Sequence, residues 1–450
     1  MEQGWLDILD FLLAPFYIGI SLLVANAIRR RNFIKKGREY YKYLIPGLVC
    51  KFVGALSLCF IYTYYYLDGG DVTNYFISSQ TYVNVLLEGD FDKFLDMVNY
   101  RSNNVHFILA SGNIYGYFMF SPHDYYALFT VMLTIPLCLL GAKSFLATAV
   151  LLAALSFIGL WKLYEVFIAH FPHLTREFAI SIFFIPSVFF WGSGILKDTY
   201  TLSAIGFYIY GLYNFQILKK RRARYFLMIA CASVVFIYVK PYILFALFPG
   251  SILWIFFYRI QRIKNQLFRS LFIPMIVLGI VGLAAIVFGL LGEYLGEYSL
   301  DRILQKAVKT QQDLVRTAYG VNSYNIGSFD ANVWSVAAKL PAALNMALFR
   351  PYIWDATNAV MLLTALENAF MFCFTLYILL KVRFIVLLNS LQSHPLLVFS
   401  LLFALFFAFS VGLTTANYGA LSRLKIPCIP FYTASLFMLY DLNRSSFRKK

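Results

Sequence analysis

Charge is what this chain has least of. Asp, Glu, Lys and Arg make up 13% of its 450 residues, while 60% are hydrophobic. The apolar residues come in long blocks. A soluble domain is excluded, because a chain of this length has too little polar surface to cover them. Acidic side chains are the scarcer sign, 22 against 38 basic, for a net charge of +16. That balance does not point to nucleic acid, because the basic runs lie between apolar blocks, where the inner loops of membrane proteins carry Lys and Arg. The six cysteines all fall in apolar stretches, with no CxxC or Cys/His spacing, which excludes a zinc site or a redox pair of the usual pattern. There is no P-loop and no GxGxxG unit. The five histidines are scattered and are read as non-catalytic.

What is present reads as an all-α polytopic integral membrane protein. A spanning helix needs roughly 20 mostly apolar residues, and backbone groups in lipid must be satisfied within the segment or in a closed barrel. The apolar runs here are continuous rather than alternating, so helices are expected. Aromatic residues reach 19%, with many Tyr and Trp near the ends of apolar runs, as interfacial belts require. The first run, Trp5 to Ile28, has acidic residues before it and Arg29-Arg30-Arg31 after it. A signal peptide has the opposite charge order, so this run is read as a retained span with its N-terminus outside.

Basic clusters at Arg29–Lys42, Lys219–Arg224, Arg259–Arg269, Lys381–Arg383 and Arg444–Lys450 mark the inner side. About thirteen spans are expected between them: 4–28, 44–66, 105–120, 125–142, 145–168, 178–196, 198–218, 225–239, 241–258, 270–292, 359–380, 396–413 and 425–440. Parity argues for the short third span, since without it Lys219–Arg224 would lie outside. A re-entrant or amphipathic outer segment together with a broken span satisfies parity equally well. The whole chain reads as one transmembrane domain with a cytoplasmic C-terminus and two long outer segments, 67–106 and 293–358. The second begins with a charged helical stretch, Asp301 to Arg316, followed by a Gly/Asn/Ser stretch, Tyr319 to Phe329, that could close over a substrate.

The unusual polar groups fall on the outer face of this topology. Asp68, Gly69, Gly70 and Asp71 follow the second span. The glycines allow a sharp turn out of the helix, which would hold Asp71 at the interface. A carboxylate there could serve as general base on a hydroxyl or coordinate a divalent cation; a plain Asp-Gly turn capping the next helix is equally consistent. Lys197 and Asp198 sit between two uninterrupted apolar runs, after the small residues Gly192, Ser193 and Gly194. Lys197 could bind phosphate there or snorkel to lipid head groups. Lys240-Pro241 breaks a hairpin at its outer tip. Arg350 and Arg423 are the strongest phosphate candidates, because Arg keeps its charge and grips oxygens in pairs. Lys425 accompanies Arg423 at the entrance of the last span. Asp355 follows Arg350-Pro351. Glu367 and Asn368 lie within a span, where they would pair inside the bundle or line a cavity.

Gly70-Asp71-Val72-Thr73-Asn74-Tyr75 resembles the Gly-x-Asp-x-x-x-Tyr-type patch of EpsG-like membrane proteins, with Asp71 as the acidic and Tyr75 as the aromatic position. Those proteins are associated with exopolysaccharide polymerisation and look like relatives of Wzy-type polymerases and GT-C glycosyltransferases. An Arg expected shortly before the patch is absent, and Asp68 stands near its place, which leaves phosphate binding to Lys197, Arg350, Arg423 and Lys425. The resemblance implies a GT-C/Wzy-like fold in the inner membrane of a bacterium. It implies a transferase acting at the outer face on a polyprenyl-diphosphate-linked glycan, for surface or exopolysaccharide synthesis. Membrane lipids and other polysaccharide-assembly proteins would be its partners. Asp71, with Asp68, would be catalytic; Tyr75, Asp198, Lys240, Asp355 and Glu367 would support. The donor carries its own activated bond, so no cofactor is required beyond a divalent cation, if any. Two further readings stand beside it: a flippase or transporter of lipid-linked oligosaccharide, and a non-catalytic membrane subunit with a cationic outer face.

Overall fold

The computed structural model describes residues 6–66, 69–99, 124–260, 327, 333–415 and 417–448. The expected spans 105–120 and 270–292, the stretch Asp301 to Arg316, nearly all of Tyr319 to Phe329, and Asp68 lie outside the described residues. Among those described, the chain is helical and contains no strand. Five helices are long and apolar enough to cross a bilayer: Ile8–Ile34, Glu39–Tyr64, Phe145–His170, Ala359–Lys381 and Pro395–Thr414. They coincide with five of the runs expected from composition and fit a membrane-embedded protein. Shorter apolar helices accompany them.

The chain divides into two compact units. The first holds residues 1–169, 182–184 and 188–241, and the second holds 170–181, 185–187 and 242–450. In the first unit the principal helices are α1 (Ile8–Arg29), α2 (Leu44–Tyr64), α3 (Asp71–Leu87), α4 (Phe91–Asn99), α5 (Tyr125–Leu140), α6 (Phe145–His170, whose last residue belongs to the second unit) and, after a broken segment, α9 (Lys197–Leu212) and α10 (Ala223–Val239). The broken segment consists of α7 (Thr175–Ala179), a π-helical turn at Ile180–Phe184, and α8 (Pro186–Trp191).

Helix α6 is the core of this unit. It is buried on nearly every face, with Leu163, Tyr164, Val166 and Phe167 wholly inside. It crosses α9 where glycine meets glycine: a Cβ on Gly206 would run into the carbonyl of Gly159, and one on Gly159 into Ser203. Small residues let two backbones touch, the packing on which membrane helices rely most. Lys162 lies over the ring of Tyr210 one turn further on, so the two helices run in the same direction. Asp10 of α1, nearly fully buried, accepts from Ser144 Oγ at 2.5 Å and from the Leu146 N–H at 2.8 Å. A carboxylate thus satisfies the open N–H groups at the start of α6, where the helix dipole favours negative charge.

The apolar run 178–196, expected as one span, is broken twice. Pro186 has no N–H to donate and excludes the residue before it from helical angles; Ile185 accordingly takes ψ 123°, and Pro186 opens α8. The chain then leaves the helix from Gly192 to Leu196. Just before that exit, Gly54 on α2 approaches the Phe189 carbonyl of α8 so closely that a Cβ would not fit.

The segment after α2, expected as a loop, contains α3, whose residues Val72, Tyr75, Phe76, Ser79, Tyr82 and Val83 are buried. Their spacing follows a helical face. Helix α3 packs on α5, with Ser79 Oγ donating to the Val131 carbonyl at 3.3 Å. Both ends of α5 meet the same end of the α6/α9 pair: Asp124 stands beside Lys197 at the start of α9, while Leu140 leads through a four-residue turn into Phe145, the start of α6.

In the second unit, α11 (Pro241–Ile260), α12 (Val333–Ala338), α13 (Leu340–Phe349), α14 (Ala359–Lys381), α15 (Phe384–Ser393), α16 (Pro395–Thr414), α17 (Tyr418–Leu424) and α18 (Ile429–Arg448) pack around α16 and α18. Phe399, Phe403, Phe407 and Phe431 form its buried aromatic interior. Gly412 of α16 lies directly on the Ala343 carbonyl of α13.

Candidate functional site

The residues singled out in the sequence fall into two groups, one in each unit. In the first unit, Asp71, Tyr75, Lys197, Asp198 and Lys240 gather at the start of α3 and α9. The turn that delivers Asp71 is built by its neighbours. Gly69 takes φ +75°, a conformation that favours glycine. The hydroxyl of Thr73 accepts the Gly70 N–H and donates to the Gly70 carbonyl, both at 2.9 Å. Asp71 is then the first residue of α3 and is half-buried.

Lys197, the first residue of α9, is the centre of this group. Its Nζ lies 3.6 Å from Asp124 Oδ1 and 6.0 Å from the ring centroid of the buried Tyr75. Burial pulls its ammonium below the ordinary lysine range, and the carboxylates of Asp124 and then Asp71 hold it up in part. Asp124 is itself fixed, because it caps α5 by accepting the Ala127 N–H at 2.9 Å. The next residue, Asp198, is fully buried and pairs with Lys240 at 2.5 Å. Lys240 ends α10, and Pro241 begins the following helix. Thus Lys197 projects from a helix end whose adjacent residue is clamped by a buried ion pair.

The sequence reading missed two residues of this unit. Asp124 stands just before the apolar run 125–142, and nothing in its spacing sets it apart. Lys51, inside α2, is 2% exposed, and its ammonium donates to the Gly192 carbonyl in the unwound stretch before α9. A lone Lys within an apolar helix was the available signal for it.

In the second unit, Arg350 leaves α13 and is gripped by Asp355. Nε donates to Oδ2 at 2.9 Å and Nη2 to Oδ1 at 2.7 Å, the paired geometry that a planar guanidinium favours. The rings of Tyr352 and Tyr418 flank it, with centroids 5.0 and 5.4 Å away. Burial pushes the Asp355 carboxyl up, but the bonds from Arg350 and from the Tyr352 N–H outweigh it and hold it below the ordinary value. Burial raises the Tyr418 phenol to about 12.

Lys425, expected to bind phosphate, is fully buried. Its Nζ donates to Asn368 Oδ1 at 2.6 Å and reaches the Arg350 carbonyl at 3.4 Å. Glu367 accepts from the Ser187 N–H at 2.7 Å and the Ser187 hydroxyl at 2.6 Å, so it pairs inside this unit. Arg423 is half-buried in the last turn of α17. Among the described residues, no three of His, Cys, Asp and Glu are gathered as a metal ion would require. No family model, no curated protein and no solved structure matches this chain.

Proposed function

We propose that this protein is a membrane glycosyltransferase of the EpsG/Wzy-like type that uses a polyprenyl-diphosphate-linked sugar. The observation that carries the reading is the grouping of a half-buried ammonium, Lys197, with the carboxylates of Asp71 and Asp124 at the ends of apolar helices. In the reaction, Asp71 takes the proton of an acceptor hydroxyl as its oxygen bonds to the anomeric carbon of the donor. The bond from that carbon to the diphosphate breaks, and its electron pair leaves on the diphosphate oxygen. Lys197 stabilises the charge that develops there, an effect worth most in a site with little water. Tyr75 and the Asp198–Lys240 pair hold Lys197 in place. Arg350 is read as an anion-binding group of the second unit. No nucleotide is needed, because the lipid diphosphate is itself the activated leaving group.

Purified protein in lipid, supplied with lipid-linked oligosaccharides from its own host, tests this by mass spectrometry. Longer glycans and released lipid diphosphate are expected, and both should be absent for Asp71→Asn at equal protein level. Full turnover by that variant would sink the base role.

Lys51 gives weight to a second reading. A buried ammonium resting on a broken-helix carbonyl is the kind of intramembrane charge found along transport routes. A transporter of lipid-linked oligosaccharide would bind the same lipid, produce no longer glycan, and move it across vesicles in a Lys51-dependent manner.

A further inference from the structure

The second unit contains a chain of contacts that leads from a wholly buried lysine to a half-buried arginine. Lys425 is 0% exposed. Its ammonium holds Asn368 Oδ1 at 2.6 Å and points to the Arg350 carbonyl at 3.4 Å. The other end of the same amide, Asn368 Nδ2, donates to the Pro351 carbonyl at 3.3 Å. Two consecutive carbonyls of the Arg350-Pro351 turn are therefore tied to α14 and to the end of α17.

From that turn the Arg350 side chain runs to Asp355, which takes Nε and Nη2. Asp355 is fixed in its turn by the Tyr352 N–H at 2.8 Å. A guanidinium has five N–H groups. Two go to Asp355, and among the described residues Nη1 meets only Met346 Sδ at 3.7 Å, a weak acceptor. The side chain is 21% exposed. Asp355 therefore orients Arg350 without covering the Nη1 edge, and that edge can take two oxygens of a phosphate.

We propose that Lys425 is a positioning residue: through Asn368 it fixes the Arg350-Pro351 turn, so that Arg350 presents its Nη1 edge to a phosphate or diphosphate group. This rests on the reading of Arg350 as an anion-binding group. It assigns Lys425 a different task from contact with the phosphate, which its burial prevents. A displaced anchor of this kind lowers affinity without removing a contact, because a binding group must sit close to its productive geometry.

The test uses the full chain in lipid nanodiscs and reads the rate at which phenylglyoxal modifies Arg350, by peptide mass spectrometry, with and without inorganic pyrophosphate. Arg224, in the other unit, is the internal standard. In the unchanged protein, pyrophosphate should slow modification of Arg350 severalfold. Lys425→Met should raise the unprotected rate at least threefold, abolish protection, and leave Arg224 unaffected. Lys425→Arg, which keeps a charged donor, should restore part of the protection. Where Lys425→Met does not fold, Asn368→Ala removes the link and should give the same result. Wild-type rates and protection in either folded variant would overturn the proposal. Pyrophosphate that fails to protect Arg350 in the unchanged protein, while both variants still raise its rate, would remove the anion-binding reading and leave the positioning role standing.

Discussion

Asp198 and Lys240 hold opposite charges 2.5 Å apart with almost no access to solvent. Removing one partner leaves the other buried and uncompensated, so Asp198→Ala is expected to destabilise the protein by about 3–5 kcal/mol, whereas replacing both with apolar residues should be far milder. Unfolding of the purified protein by detergent titration distinguishes the two; equal loss in the single and double variants would refute the pairing. The Asp355–Arg350 pair predicts a pH dependence. The folded-state value of Asp355 is depressed, so its contribution is complete above the ordinary carboxylate range and is lost only as pH falls below about 4. Hydrogen exchange of the peptide 350–358 should show equal protection at pH 7 and pH 5, after correction for intrinsic rates. Asp355→Asn should lose that protection at both. Among single residues, Asp71, Lys197 and Lys240 were legible in the sequence because each is a charge at the edge of an apolar run. What surrounds them was less so. Lys51 rests on a backbone carbonyl, which no residue type encodes, and Asp124 meets Lys197 across 73 positions of chain. Lys425 looked like a surface cation because its acceptor, Asn368, lies 57 positions away.

At the scale of helices, the crossing of Gly159 and Gly206 leaves no room for a side chain, since a Cβ on Gly206 would strike backbone rather than a movable side chain. Gly206→Val is expected to destabilise by at least the ~1–3 kcal/mol usual for overpacking. Gly19→Val on α1, where nothing lies within 4 Å of an added Cβ, should be nearly neutral. Folded yield by size-exclusion chromatography provides the comparison, and similar yields would mean that α6 and α9 do not cross there. The long apolar helices were legible because composition alone fixes a span. The break in 178–196 was half legible: Pro186 announces the first, whereas the second, from Gly192 to Leu196, follows small residues that serve equally for close packing. Helix α3 escaped because its face is polar-aromatic rather than aliphatic. Ten of its 17 residues are buried, among them 72, 75, 76, 79, 82 and 83 at helical spacing, so a count of periodicity rather than of apolar length would have given a signal for it.

For the whole chain, the contacts of α5 yield a prediction about how often it crosses the membrane. Helices α6 and α9 run the same way, as the paired contacts Gly159–Gly206 and Lys162–Tyr210 require, so their first residues mark one side. Asp124, which precedes α5, stands beside the first residue of α9. Ser144, just past the other end of α5, bonds Asp10 at the start of α6. Both ends of α5 therefore lie toward the same end of the α6/α9 pair, and we predict that α5 does not cross the bilayer, although its 16 residues would reach about 24 Å. On that prediction the run 125–142, expected as a span, lies instead on the side from which Asp71 and Lys197 project. Arg29–Lys42 and Lys219–Arg224 are expected together on the opposite side, as basic loops on one face require. Single cysteines in a cysteine-free background test this with an impermeant maleimide applied to intact cells. Tyr125→Cys, Leu140→Cys and Glu88→Cys, all at exposed positions, should label from outside, while Lys35→Cys and Lys220→Cys should label only after permeabilisation. Labelling of Tyr125→Cys and Leu140→Cys from opposite sides would restore α5 as a span and place Asp124 on the far side of the membrane from Asp71, where it could not share Lys197.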